Sequence, residues 1–347
     1  RFAQKGLEGF YGGRTADLIE AQMQKDGGFV TREDLSAYAA REREVLRGIY
    51  RDCEVLSMPP PSSGGVALLQ MLNLLETYDL KVMGFGGSVY LHLLTEVMRR
   101  AYADRSRWLG DPDFYGVPVA GLVSKEYAAK LREGIDLKKK SVVAPGLPPG
   151  AKESDDTTHF SVVDRAGNAV ACTTTINSTF GSMLVVDGAG FLLNNEMDDF
   201  SAKPGVPNQF GLVGGKANAI EPGKRMLSSM TPTIVLQKGE LRLVLGAPGG
   251  GRIITAVLQV MLDVVDHGMG LEQAVRAPRI HHQWLPDSIS WEPLSLSPDV
   301  LEALMTKGHT FAKRPGGIGQ VFAIEVLKNG DRLGVCDHRS GGSAAAY

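Results

Sequence analysis

Asp155-Asp156-Thr157-Thr158-His159-Phe160-Ser161-Val162-Val163 is where the character of this chain changes. Before it, Lys138 to Asp156 is crowded with proline and glycine, a composition that forbids regular structure and predicts an exposed linker. After it, apolar and polar residues alternate over Thr157–Val163, turn at Asp164-Arg-Ala-Gly-Asn168 and alternate again over Ala169–Ile176, the pattern of a hairpin.

Working outward, residues 14–140 read mainly helical. Arg14–Lys25 carries Leu18, Ile19 and Met23 on one stripe and stops before Gly27-Gly28. Thr31-Arg-Glu-Asp34 is a capping box. Val66–Tyr78 and Val89–Trp108 have apolar residues at helical spacing, and Ser124 caps Lys125–Glu133. One strand, Cys53–Met58, interrupts this run. The tri-lysine Lys138–Lys140 reads as a solvated helix end. Beyond the junction, strands are expected at Thr233–Gln237, Leu241–Leu245, Val321–Val326 and Leu333–Cys336, with a helix from Arg252 to about Asp266. Helices first and antiparallel hairpins later predict an α+β fold of sheets covered by helices, not a βαβ repeat.

Composition narrows the function. The 347 residues carry 37 basic and 39 acidic side chains, a net charge of −2, so no field favours nucleic acid or an anionic membrane. No apolar run approaches the roughly 18 residues of a membrane span. Arg1-Phe-Ala-Gln-Lys5 is neither an initiator methionine nor a signal peptide. Cys53, Cys172 and Cys336 lack metal-ligand spacing and read as buried apolar thiols, and no metal or cofactor is expected. Gly246-Ala-Pro-Gly-Gly-Gly251 lacks dinucleotide spacing, Gly214-Gly-Lys216 lacks the upstream glycine of a P-loop, and adjacent His281 and His282 point to opposite strand faces. Glycine is abundant, 42 residues, and sits in clusters.

The chemistry starts at Thr157. A threonine hydroxyl is a poor nucleophile without a base beside it, and cutting the chain before Thr157 would make its own α-amine that base. Taken alone, Thr157-Thr158 reads as ordinary β-propensity. Three further clusters add to it: Thr173-Thr-Thr-Ile-Asn-Ser-Thr179, Asn194-Asn-Glu-Met-Asp-Asp199 and Leu227-Ser-Ser-Met230. Acidic groups can hold an ammonium, hydroxyls a carboxylate, and the bare N–H groups of Gly249–Gly251 an oxyanion. Together they describe a pocket for a zwitterion.

Ser57-Met-Pro-Pro-Pro-Ser-Ser-Gly-Gly65, Tyr102-Ala-Asp-Arg-Ser106, Gly110-Asp-Pro-Asp-Phe114, Thr157-Thr-His159, Asn194–Asn208, Leu227–Met230, Pro248–Gly251 and His281–Pro286 carry a resemblance along the whole chain. It resembles the gamma-glutamyltranspeptidases of the N-terminal-nucleophile hydrolase superfamily. The resemblance implies a four-layer αββα sandwich of two mainly antiparallel sheets, in one structural domain. It implies self-cleavage between Asp156 and Thr157, making 1–156 the later part of a large subunit and 157–347 a small subunit, paired as a heterodimer. The start of the large subunit, with an arginine that clamps the substrate carboxylate, is expected upstream of Arg1.

By position, Thr157 is the implied nucleophile and Thr175 orients it. Asn177, Glu196 and Asp199 would hold the substrate α-amine, Ser228 and Ser229 its α-carboxylate, and Gly249 and Gly250 the oxyanion. The implied donor is glutathione or a relative, and the acceptor is water, an amino acid or a peptide, in a periplasmic or extracellular setting. Pro204–Gly223 corresponds to a lid loop, with Phe210 where a gating tyrosine often sits. Position 196 is Glu where some members have Gln. Asn177-Ser-Thr179 also spells a glycosylation sequon, which its place at a strand end disfavours. Asp198 reads as a cap, and Met197 and Phe200 as core. A glutaryl or poly-γ-glutamyl acylase, or a truncated inactive relative, are the alternative readings.

Overall fold

The computed structural model describes residues 1–144 and 157–346. The expected cleavage bond and most of the Pro/Gly linker lie outside the described residues. The chain divides into two compact units, Arg1–Glu44 with Ile176–Glu196, and Val45–Thr175 with Met197–Tyr347.

The smaller unit is helical at its start: α1 (Phe2–Lys5), α2 (Glu8–Tyr11), α3 (Gly13–Asp26) and α4 (Arg32–Ala37). The capping box is present at α4, where Thr31 Oγ1 accepts from the Asp34 amide and the Asp34 carboxylate accepts from the Thr31 amide. The apolar stripe of α3 buries Ile19 and Met23 against Val186 of the second segment, with Leu18, Leu35, Phe191 and Leu193 around them. The exposed Lys25–Asp187 ion pair adds little to this apolar contact.

The larger unit is built on a six-stranded antiparallel sheet. Its first strands, β1 (Leu46–Tyr50) and β2 (Cys53–Ser57), form a tight hairpin. The single strand expected here is therefore a pair. Arg47 and Gly48 break the apolar run of β1, so its pattern alone does not mark a strand, yet Gly48 accommodates Leu69 above it. There follow α5 (Gly64–Leu75), α6 (Leu80–Met83), α7 (Ser88–Trp108), α8 (Val119–Leu122) and α9 (Lys125–Glu133). After the junction come β3 (Thr158–Val163), β4 (Ala169–Thr174), β5 (Thr233–Gln237), β6 (Glu240–Gly246), α10 (Ile253–Val265), α11 (Leu271–Arg276), β7 (Ile280–His281), β8 (Ser290–Trp291), α12 (Pro298–Thr306), β9 (Phe322–Val326) and β10 (Arg332–Val335). The sheet order is β1-β2-β5-β6-β9-β10, so strands from both sides of the junction interleave.

Helices α5, α10 and α11 cover one face of this sheet, and the β3–β4 hairpin lies on the other. Every residue of α5 is buried, as is α10 from Ile253 to Val264, so both helices run inside the core and enclose polar Gln70, Asn73, Gln259 and Asp263 along with their apolar residues. The architecture is the α+β class of the αββα sandwich: helix layer, six-stranded sheet, and a second antiparallel sheet represented by β3 and β4. Phe160, Val162 and Val170 are exposed on the outer side of that hairpin.

The hairpin docks through His159 and Ser161. The buried imidazole lies between Thr173 Oγ1 at 2.8 Å and Ser161 Oγ at 3.1 Å, while the Ser161 hydroxyl donates to the Val244 carbonyl. Gly246 makes room for the ring, because a Cβ there would lie 2.3 Å from it. Burial pushes the His159 imidazole down to about 4, so it is neutral between the sheets.

A second polar cluster fixes the chain just before the undescribed stretch. Buried Glu96 pairs with Arg99 at 2.7 Å and Arg100 at 2.8 Å, and Arg99 donates to the Ser141 carbonyl. Lys140 pairs with Asp287 at 2.7 Å. The tri-lysine is thus not a solvated helix end. It follows α9 in a turn, with Lys138 and Lys139 exposed and Lys140 drawn inward by a carboxylate. Of the cysteines, only Cys53 is fully buried; Cys172 and Cys336 are half-buried free thiols, since neither sits in the inter-sheet or helix-sheet core.

Candidate active site

The β3–β4 ladder runs in register from Val163↔Ala169 to Thr158↔Thr174, so Thr157 and Thr175 face each other one step beyond it. The Thr157 hydroxyl donates to Thr175 Oγ1 at 3.4 Å. Thr157 also lines a cavity of about 440 Å³ with Pro248, Gln320, Phe322 and the Ser340–Ala345 segment. Pro248, in the glycine loop after β6, lines it opposite the head of β3, but Gly249 and Gly250 do not.

That loop has a backbone only glycine adopts readily. Gly249 has φ 135° and Gly250 φ 49°, and a Cβ on Gly249 would lie 2.9 Å from Gly319 Cα. Gly250 opens a 3-10 turn that leads directly into α10. From α7, the Tyr102 hydroxyl donates to the Gly251 carbonyl and supports the loop from below.

The expected lid is a folded loop laid over these glycines. Asn208 organises it: its side-chain oxygen accepts from the Phe210 and Leu212 amides, and its amide donates to Asp199 Oδ1 at 3.3 Å. Asp198 accepts from the Gln209 amide, so its capping role is a clasp on the loop. Phe210 is buried, its ring against Gly250, and Gln283 donates to its carbonyl. Phe200 is core as expected, but Met197 is 60% exposed and is not. In the tight Glu196–Asp199 turn its side chain points away from the face that buries Phe200.

Ser228 and Ser229 are strapped to the proline-rich turn before α5. Ser63 N–H and Oγ–H both donate to the Ser228 carbonyl, Ser62 Oγ donates to the Met230 carbonyl, and the Ser228 amide returns a bond to Pro61 O. Arg105, buried on α7, donates to Ser63 Oγ at 2.9 Å and Ser229 Oγ at 3.1 Å. Composition gave no reason to single out Arg105, Ser63 or Tyr102, although the motifs containing them are distinctive. Asp199, Ser228 and Ser229 do not line the cavity that holds Thr157.

Asn177 and Glu196 belong to the smaller unit. There Asn177, at φ 76°, donates to the Asn195 carbonyl at 3.2 Å. The Glu196 amide donates to Asn194 Oδ1, and burial pushes its carboxyl up to about 7. His281 and His282 are both buried, the first bonded to Thr255 and Gln283, the second beside Asp287. Among the described residues no group of three His, Cys, Asp or Glu is placed to hold a metal ion.

The sequence model of the gamma-glutamyltranspeptidases matches residues 1–347. The chain belongs to the gamma-glutamyltranspeptidase family. It is 50% identical over 342 residues to a glutathione hydrolase proenzyme of Escherichia coli K12, covering 97% of this chain and 58% of that protein. The chain thus spans less than two-thirds of that relative's length. Among solved structures, the cephalosporin acylase of Bacillus halodurans superposes with a TM-score of 0.84 at 27% identity, over 100% of this chain and 61% of that one. A gamma-glutamyltranspeptidase chain of Pseudomonas nitroreducens is 50% identical with a TM-score of 0.52, over 55% of this chain and 99% of that one.

Proposed function

We propose that this protein is a self-processing γ-glutamyl transferase and hydrolase. The observation that carries the reading is the Thr157–Thr175 hydroxyl pair, 3.4 Å apart at the head of β3, with Thr157 lining a cavity that also includes Pro248. Its family and its 50% identity to a glutathione hydrolase proenzyme support the same reading.

In the proposed maturation, Thr157 Oγ adds to the Asp156 carbonyl, the C–N bond breaks and an ester forms. Water then cleaves the ester, leaving an Asp156 carboxylate and a free Thr157 amine. Residues 157–347 become the small subunit of a heterodimer. In turnover the Thr157 amine accepts the hydroxyl proton as Oγ attacks a γ-glutamyl amide, as in glutathione, and that proton leaves with the departing amine. Gly249 and Gly250 N–H groups would stabilise the oxyanion. Asn177, Glu196 and Asp199 would hold the α-ammonium, Ser228 and Ser229 the α-carboxylate, and Thr175 would keep the nucleophile aligned. Water, an amino acid or a peptide would take the acyl group. A periplasmic or extracellular location goes with the same reading.

A denaturing gel of the purified protein at the full length of its relatives tests the first step. Two bands are expected for wild type and one for Thr157→Ala; a single wild-type band refutes self-processing. A chromogenic γ-glutamyl anilide, with and without a dipeptide, then separates hydrolysis from transfer.

A second reading, acylase chemistry, is favoured by the fold likeness to a cephalosporin acylase over the whole chain. Asp199→Ala separates the two. It raises KM for γ-glutamyl but not glutaryl substrates if an ammonium is bound there, and equal losses favour the acylase.

A further inference from the structure

Tyr102 and Arg105 stand one turn apart on α7 and reach different parts of the candidate site, the glycine loop and the serine strap. Arg105 is 5% exposed. Its Nε and Nη2 donate to the hydroxyls of Ser63 and Ser229. Ser63 can accept because its own proton goes to the Ser228 carbonyl at 2.7 Å.

The serine pair downstream has a defined polarity. Ser229 Oγ accepts from Arg105, and Ser228 Oγ accepts from the Met230 amide at 3.0 Å. Neither hydroxyl proton has an acceptor among the described residues. A hydroxyl that already accepts directs its proton elsewhere, so both are left as donors. Hydroxyl donors without an acceptor of their own suit an anion.

The charge points the same way. Burying a cation is costly unless a counter-charge is at hand. Among the described residues no carboxylate lies within ion-pair distance of Arg105. Burial opposes its charge, while Tyr102 and Asp199 favour it from farther off. Its two hydrogen-bond partners are neutral hydroxyls, which satisfy donors, and Asp199 offsets the charge only from a distance.

We infer that Arg105 is the positioning and specificity-determining residue of a carboxylate subsite made by Ser228 and Ser229. Its guanidinium fixes Ser63 and Ser229, turns the Ser229 proton outward and supplies the positive charge that makes the pair select an anion. This rests on the γ-glutamyl reading, in which the anion is the substrate α-carboxylate. Arg105 acts through Ser229 and need not touch the substrate.

The test is steady-state hydrolysis of a γ-glutamyl p-nitroanilide by the enzyme at the full length of its relatives. Wild type, Arg105→Gln and Arg105→Lys are compared, with processing on a gel as the check of folding. Wild type that processes itself but does not cleave the anilide overturns the γ-glutamyl reading before any Arg105 variant is measured. Given that activity, Arg105→Gln is expected to raise KM about 10- to 100-fold, the size of a lost charged hydrogen bond, with kcat within about threefold. Arg105→Lys, which keeps the charge but cannot hold two hydroxyls, recovers part of that loss. A fall in kcat with KM unchanged, or no recovery in Arg105→Lys, overturns the assignment. If Arg105→Gln does not fold, Arg105→Lys decides alone: a raised KM with kcat kept supports it, and the reverse split refutes it.

Discussion

The hydroxyls of Thr157 and Thr175 lie 3.4 Å apart because the β3–β4 register places them opposite each other just past the last paired residues. The separation is long for an O–H donor, so this hydrogen bond holds the Thr157 hydroxyl only weakly. Thr175→Ala is expected to slow both self-cleavage and anilide hydrolysis about 10- to 100-fold, the cost of a hydrogen bond to a group that gains charge. Thr175→Ser, which keeps the hydroxyl, is expected to retain most of the rate. Single-turnover kinetics on the two variants check this, and equal losses would remove Thr175 from the site.

Gly246 and His159 pack closely where the two sheets meet. A methyl at 246 would meet the imidazole at 2.3 Å with no side chain free to yield, because the ring is held by Thr173 and Ser161. Gly246→Ala is therefore expected to destabilise the protein by about 2 kcal/mol through overpacking. Urea unfolding measures it, and a neutral result would mean the sheets separate without strain.

His159 also makes stability depend on pH. Its pKa is lowered to about 4 by burial, against about 6.5 in an unfolded chain, so between these values the unfolded state binds the extra proton. Its contribution is fully present above pH 6.5 and is lost as pH falls toward 4. His159→Asn is expected to reduce the slope of unfolding free energy over that window by up to one proton, about 1.4 kcal/mol per pH unit. Denaturant titrations at pH 4.5 and 6.5 give the slope, and an unchanged value would show that the ring is solvated.

Glu196 gives a binding signature in the opposite range. With its carboxyl pushed up to about 7 by burial, the anion that would hold an ammonium forms only as pH rises through that value. KM for a γ-glutamyl anilide is expected to fall as pH climbs from 6 to 8, and Glu196→Gln to flatten the change. A profile identical in the variant would take Glu196 out of ammonium binding.

Local sequence was a good guide to the elements. The Thr31–Asp34 capping box, the Asp164–Asn168 turn and the buried helices α5 and α10 follow from hydrogen-bonding capacity and apolar spacing within a few residues. So did the presence of the candidate groups, since Thr157, Ser228, Ser229 and Gly249 stand in recognisable runs. The β1 strand was hidden, because Gly48 and Arg47 spoil its pattern and its pairing partners decide it. Met197 misled for the converse reason: apolar chemistry does not say which side of a tight turn faces inward.

What the sequence determined by itself is therefore the inventory: a candidate nucleophile at a strand head, hydroxyl and acidic clusters, and a glycine loop. The tertiary structure alone decided their wiring. Arg105 and Ser229 are 124 positions apart, and Tyr102 and Gly251 are 149 apart. Such pairs form only when α7 packs beneath both loops. Hydrogen-bond polarity, like burial and shifted pKa values, belongs to neighbours in space, and no spacing along the chain encodes it.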